Sequence, residues 1–328
     1  MVIILANNYK DISINDRAYE IVGEMIDYPE DFKVDIHTLG NDSIVIDCGV
    51  NTKGGYEAGL AFTNVCMGGL AVPAITHKKL KHEIFYPFIE VYTDYPTLAC
   101  LAAQKAGWRV NQEGFFAMGS GPARALALKP KHTYEVIEYE DESDFAVIAL
   151  EASTLPNEKV MDYVASECGV EASNTVAIVA PTNSPVGSVQ IAGRVVEMAI
   201  YKLNEMGFDT RHIVSAYGSA PIPPVKKDSA VAMGTTNDAS IYHGTVTLIV
   251  DGGNIKDFVP KLPSSTSSSY GRPFYTVFKE AKFDFYKIDT SIFAPAEVVV
   301  NDISTGETYI AGKVDADVLM ESFGFKKI

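Results

Sequence analysis

The chain has 328 residues, with 27 Lys and Arg against 42 Asp and Glu, a formal net charge of −15. Such an acidic chain has no electrostatic attraction to nucleic-acid phosphates or anionic membranes, and 47% hydrophobic with 21% charged residues excludes a disordered or fibrous chain. The length is about twice the usual ~150 residues per domain, which leaves open two α/β lobes or one large domain.

The opening MVIILANNYK has a short apolar stretch with no basic residue ahead of it, so it does not read as a signal peptide. Ser13-Ile14-Asn15-Asp16 then supplies caps for a helix whose apolar side is Ala18, Ile21, Val22, Met25 and Ile26. Strand-like runs 32–38 and 43–50 flank Gly40-Asn41-Asp42, a hairpin signal. A Gly-rich helix is predicted over 55–67. The basic segment His77-Lys78-Lys79-Leu80-Lys81-His82 reads as a solvated surface stretch rather than a nucleic-acid patch. A strand over 87–93, a helix over 97–106, and strands over 114–118 and 145–150 follow.

The second half restarts the alternation. A helix over 157–167 closed by Gly169, a strand over 175–180, a long helix over 186–206 and a strand over 213–217 are predicted. The run 240–250 reads as a further strand. Lys261 to Pro273, rich in serine, reads as a mobile surface loop, with a lid as the sharper alternative. Hairpin strands 296–303 and 307–314 turn at Ser304-Thr305-Gly306, and a short helix over 316–321 ends the pattern. The fold class is α+β with α/β alternation, in two lobes around a large cleft. The linear division is an N-terminal α+β lobe at 1–140 and a C-terminal one at 141–328, with strands open to exchange between them.

No apolar run reaches the ~18 residues of a membrane span. Cys48, Cys66, Cys100 and Cys168 form no CxxC pair and read as buried apolar thiols, as in a reducing compartment. The six histidines show no metal-ligand spacing. A soluble, cytoplasmic protein is expected.

A weak internal echo supports the two lobes. One strand–helix–strand unit ends in Ala117-Met-Gly-Ser-Gly-Pro122 and a later one in Ala216-Tyr-Gly-Ser-Ala-Pro221. As a duplication, this predicts two Gly-Ser turns facing each other across the cleft, where ligands tend to bind. The first turn, with Ser120, Gly121 and Arg124, has the backbone N–H groups and the guanidinium to cradle an anion. Equally, it serves as a plain structural turn. Met233-Gly-Thr-Thr-Asn-Asp238 carries Asn237 and Asp238 in a string that reads as a cap or turn.

The long helix Pro185–Leu203 is apolar nearly all round, the mark of a buried helix. Its polar side chains Gln190, Arg194, Glu197 and Tyr201 fall on one narrow stripe. One reading makes that stripe the helix's solvent edge, with an ordinary Arg194–Glu197 ion pair. The other makes it the lining of a cleft, where burial and a guanidinium poise a carboxylate as a general base.

At these residues the chain resembles the archaeal-type methenyltetrahydromethanopterin cyclohydrolases. The carriers are Gly54-Gly-Tyr-Glu-Ala-Gly59, Cys66-Met-Gly-Gly69, Phe116-Ala-Met-Gly-Ser-Gly-Pro-Ala-Arg-Ala125, Gly187-Ser-Val-Gln190 with Arg194-Val-Val-Glu197, and Gly218-Ser-Ala-Pro-Ile-Pro-Pro224. The resemblance runs from the Ser13 helix to the tail. It implies water addition to the cationic carbon bridging N5 and N10 of a reduced pterin, giving the N5-formyl product without metal or redox cofactor. It implies Arg194 and Glu197 as the catalytic pair, and it matches a further acidic residue to Glu151. Gln190, Ser120, Gly121, Arg124, Ser219, Asn237 and Asp238 are expected on the substrate, with Arg124 or Lys53 near its anionic tail. It also implies a homotrimer, with no nucleic-acid or membrane partner. Thr235 stands where the family usually carries Arg, and Pro185 at the helix start is unusual. The second reading is therefore a paralogue that binds the pterin without turning it over.

Overall fold

The structure, a computed structural model, describes residues 9–81, 84–284 and 287–326. The apolar N-terminal stretch through Asn8 and His82 of the basic segment lie outside them. The described strands are β1 (Asp35–Thr38), β2 (Ile44–Asp47), β3 (Val72–Lys79), β4 (Phe85–Thr93), β5 (Trp108–Gln112), β6 (Phe115–Ser120), β7 (Ala146–Glu151), β8 (Thr175–Ala180), β9 (Ile213–Pro221), β10 (Thr245–Val250), β11 (Glu297–Asp302) and β12 (Glu307–Gly312). The described α-helices are α1 (Ile14–Asp27), α2 (Pro29–Phe32), α3 (Tyr56–Cys66), α4 (Ala123–Leu126), α5 (Lys131–Ile137), α6 (Glu158–Cys168), α7 (Pro185–Ala192), α8 (Val195–Glu205), α9 (Ser229–His243), α10 (Phe274–Glu280) and α11 (Ala316–Phe323). This is the mixed α and β content the sequence predicts.

The chain divides into two compact units, each drawn from two segments. The first holds the described residues through Ala71 together with Thr97–Gly187; the second holds Val72–Pro96 and the described residues from Ser188 on. The linear division at 140 falls inside the first unit, between α5 and β7, and the last of the three passages between the units lies within α7.

The first unit carries a six-stranded sheet in the order β1-β2-β8-β7-β6-β5. Strands β2, β8 and β7 are parallel neighbours, and the other pairs are antiparallel. The central strand, Thr175-Val-Ala-Ile-Val-Ala180, is buried along its whole length, which is why it reads as an unbroken apolar run. Val176 and Ile178 pack on one side with Ala18, Val22, Met25 and Phe62 of α1 and α3. Ala177 and Val179 pack on the other with Val160, Met161 and Val164 of α6. Local signals fix these helices. The Ser13 hydroxyl accepts from Asp16 N at 3.1 Å, and Asn157 caps α6, which ends at Gly169 with φ +71°.

The second unit carries the sheet β12-β11-β10-β9-β4-β3, parallel only between β10 and β11. Helices α9, α10 and α11 bring Ile241, Tyr242, Phe274, Phe278, Leu319 and Phe323 into an apolar cluster with Phe88 of β4.

Two strands were not legible in the sequence, β3 and β5, and both are sheet edges. An edge strand is half exposed, and polar residues and Pro are tolerated there; β3 carries Pro73, His77, Lys78 and Lys79. The basic segment is therefore strand β3 up to Lys79. Residues 240–243 are the last turn of α9 instead of a strand, which begins only at Thr245. The serine-rich stretch, expected to be mobile, is pinned. Asp289 Oδ2 accepts from Ser267 Oγ, Ser268 N and Ser268 Oγ at 2.9–3.0 Å, and Tyr242 Oη accepts from Gly271 N and Arg272 N. The buried Lys202 ammonium donates to Pro263 O, Thr266 Oγ1 and Ser291 O. All four cysteines are buried thiols, and no described helix is long and apolar enough to cross a membrane.

Candidate active site

The expected long helix is two helices. Gly193 N still donates to Val189 O at 2.9 Å, but Arg194 N reaches only Ile191 O at 3.1 Å, a tighter turn, and Arg194 sits at φ −83°, ψ 2°. Helix α8 restarts at once, with Met198 N on Arg194 O at 2.9 Å. The break puts Arg194 at the N-cap of α8 and Glu197 in its first turn, where a carboxylate is favoured by the helix dipole. Arg194 Nε donates to Gln190 Oε1 at 3.2 Å, so the side chains bridge the break.

The solvent-edge reading of this stripe does not hold. Gln190 is 2% exposed and Glu197 9%, and Arg194 and Tyr201 are half-buried. The Tyr201 phenol is pushed up to about 12, first by burial and then by the carboxylates of Glu205 and Glu197. The start of α8 is seated on β9 by Gly218. A Cβ there would come within 2.6 Å of Val196 Cγ2 and 2.7 Å of Val195 Cγ1, so only glycine lets the two backbones approach this closely.

The second Gly-Ser string is not a turn. Gly218, Ser219 and Pro221 lie within β9, paired to Val91, Glu90 and Phe88 of β4. Ser219 Oγ accepts from Lys78 Nζ at 2.9 Å, and Lys78 also pairs with Glu90 at 2.6 Å and reaches Tyr217 Oη at 3.5 Å. Burial raises Glu90, but the hydrogen bonds from Lys78 and Tyr217 outweigh it and hold the carboxyl below its ordinary range. This Lys78–Glu90–Tyr217 cluster escaped the sequence reading because its members lie on three strands.

The first Gly-Ser string does turn, at Gly121 with φ +90°. Ser120 is buried, its Oγ 3.6 Å from Cys66 Sγ. Arg124, expected beside an anion, is fully buried. Its Nε donates to Lys129 O at 2.8 Å and its Nη1 to the carbonyls of Leu101, Ala102 and Ala103 at 3.1–3.3 Å. It caps the C-terminal carbonyls of the π-helical segment Thr97–Gln104. Asn237 and Asp238 are likewise mid-helix in α9, neither cap nor turn. Asn237 Nδ2 donates to Met233 O at 2.8 Å. Asp238, fully buried, accepts from Phe274 N at 2.9 Å and Ser322 Oγ at 2.6 Å, tying α10 and α11 to α9. Thr235 is buried, with its hydroxyl on Val231 O at 2.8 Å.

Glu151 ends β7, next to the loop that follows β8. Its Oε1 accepts from the Thr182 hydroxyl. Across β8 lies the loop after β2, shaped by Asp47, which accepts from the N–H groups of Gly49, Val50 and Asn51 at 2.7–2.9 Å. Burial raises Asp47, but these donors prevail and keep it ionised below the ordinary range. The exposed Lys53 belongs to the same loop. Thr182 was missed, although Pro181-Thr-Asn-Ser184 announces a helix start that its own side chains must organise.

The buried Glu197 carboxylate thus lies one turn from the half-buried Arg194, where the helix breaks and restarts. Residues 13–323 match the family model described as Cyclohydrolase (MCH). A protein of Methanocella arvoryzae named methenyltetrahydromethanopterin cyclohydrolase is 81% identical over 317 residues, covering 97% of this chain and all of that one. Proteins of the same name from Methanospirillum hungatei and Methanothermobacter marburgensis are 58% and 51% identical, covering 96% and 95% of this chain and 99% of each relative. The chain belongs to the methenyltetrahydromethanopterin cyclohydrolase family. It is a hydrolase.

Proposed function

We propose that the enzyme adds water to the N5,N10-methenyl bridge of tetrahydromethanopterin, reversibly, with Glu197 as the proton-transfer group and Arg194 orienting it. The bridging carbon is an amidinium, already electrophilic, so the chemistry left to the protein is to orient and deprotonate one water. Glu197 takes a proton as the C–O bond forms. It returns that proton to N10 as the C–N10 bond breaks, and the second water proton leaves to solvent as the formyl carbonyl forms. Arg194 stabilises the oxygen of the tetrahedral intermediate. What supports these roles is the burial of Glu197 in the first turn of α8, immediately after the Gln190–Arg194 hydrogen bond.

Glu151, Gln190, Ser120, Gly121 and Ser219 remain the proposed substrate-binding residues; the bonding of Arg124 and Asp238 suits them to holding the fold, and Asn237 is half committed to its own helix. By resemblance, the enzyme works in the cytoplasm as a homotrimer, in the one-carbon steps of methanogenesis. It takes the pterin as its sole organic partner, without metal or redox cofactor. The test is the loss of methenyl-pterin ultraviolet absorbance on adding protein without metal or nucleotide. The second reading, a pterin-binding paralogue, is favoured by Thr235 in place of Arg, and its mark is tight binding with no spectral change.

A further inference from the structure

Three parallel strands, β2, β8 and β7, end side by side in the first unit. Carboxyl ends of parallel strands are where open α/β sheets hold ligands. Glu151 lies there, opposite Ala180 in the β7–β8 register. A glutamate at a strand end has three rotatable side-chain bonds and no fixed direction by itself. Thr182, two residues past Ala180, supplies the direction. It is 8% exposed, and its hydroxyl donates to Glu151 Oε1.

The donor is itself held rigidly. Pro181 fixes the backbone ahead of it, and the β-branched Thr side chain has few rotamers. Ser184 Oγ donates to Pro181 O at 2.7 Å and accepts from Gly187 N at 3.0 Å, closing the 181–184 turn onto the first turn of α7. A Cβ at Gly187 would lie 2.2 Å from Pro181 O and 2.7 Å from Thr182 O, so turn and helix are wedged together. Rigid support of this kind is what a binding carboxylate needs from its surroundings.

We infer that Thr182 is a positioning residue for the enzyme, its hydroxyl fixing the Glu151 carboxylate for the pterin. This rests on the reading of Glu151 as a substrate-binding residue. The hydroxyl is the operative group, and the methyl only packs.

The experiment is a double-mutant cycle on the full-length enzyme with methenyl-tetrahydromethanopterin, reading KM, kcat and melting temperature. Loss of one hydrogen bond to a charged group predicts about a 10-fold lower kcat/KM for Thr182→Val, carried mainly by KM. Thr182→Ser, which keeps the hydroxyl, stays within about 3-fold of wild type. In a Glu151→Ala background Thr182→Val has no further effect, because the carboxylate it positions is gone. Thr182→Val at the wild-type kcat/KM, with Glu151→Ala impaired, overturns the inference and leaves the role of Glu151 standing. Additive losses in the cycle, or equal losses for Val and Ser with a lowered melting temperature, overturn it as well. A fully active Glu151→Ala enzyme overturns the reading of Glu151 and the inference with it.

Discussion

The Arg194 guanidinium donates through Nε to the side-chain oxygen of Gln190 at 3.2 Å, across the point where α7 ends and α8 begins. Gln190 is almost wholly buried and Arg194 half-buried, so the bond is partly shielded from water. In a continuous helix the same two residues would be ordinary neighbours at i and i+4. Here the bond holds two helices in register at the start of the turn that carries Glu197.

Gln190→Ala removes that acceptor from the Arg194 guanidinium. The expected outcome is about a 10-fold lower kcat/KM, shared between KM, from the proposed contact of Gln190 with substrate, and kcat, from the proposed oxygen-stabilising role of Arg194. Gln190→Glu, which retains an acceptor at the same place, loses less. Steady-state kinetics at saturating and limiting pterin separate the two terms.

Asp238 makes a pH-dependent contribution to stability. Burial, with a smaller push from Glu321, raises its carboxyl to about 7 against the pull of the Ser322 and Phe274 donors. A raised acid binds its proton in the folded state while the unfolded state has already lost it. Stability from this group is therefore full below about pH 4 and is lost progressively as pH rises toward 7. Asp238→Asn can still accept from Phe274 N and pair with Ser322, without titrating. Urea unfolding from pH 4.5 to 8 should show the variant gaining on wild type as pH rises; parallel curves would contradict the assignment.

Lys202 anchors the serine-rich stretch. Burial lowers its ammonium to about 8, against the opposing charge of Asp289, and it donates to three acceptors. Lys202→Met takes the donor from Ser291 O and one bond each from Pro263 O and Thr266 Oγ1, which keep their bonds to one another, at a cost of about 1–3 kcal/mol. Hydrogen exchange should accelerate over residues 264–270 ahead of the sheet strands, whereas a uniform change would show that Lys202 supports only global stability.

The polar stripe of Gln190, Arg194, Glu197 and Tyr201 was legible because nearly all the rest of its helix is apolar, so these residues stood out by position. The break at Gly193 was not legible, since a glycine inside an apolar helical pattern is tolerated and the pattern resumes at Val195. The bonding of Arg124 and Asp238 was not legible, for one reason. A charged residue in a string of small and polar residues looks the same in sequence whether it meets a ligand or buried backbone groups. Only the fold brings the π-helix carbonyls to Arg124 and the Phe274 amide to Asp238. The hairpins and capped helices were read well because their signals are local, as at Ser13, Asn157 and Gly306.

The central claim is that Glu197 moves the proton. Glu197→Gln keeps the size of the side chain and can accept a hydrogen bond but not a proton. Following methenyl-pterin absorbance at equal enzyme concentrations, kcat should fall by about 100- to 10,000-fold, with pterin binding and melting temperature close to wild type. A Glu197→Gln enzyme that turns over at the wild-type rate would contradict the account.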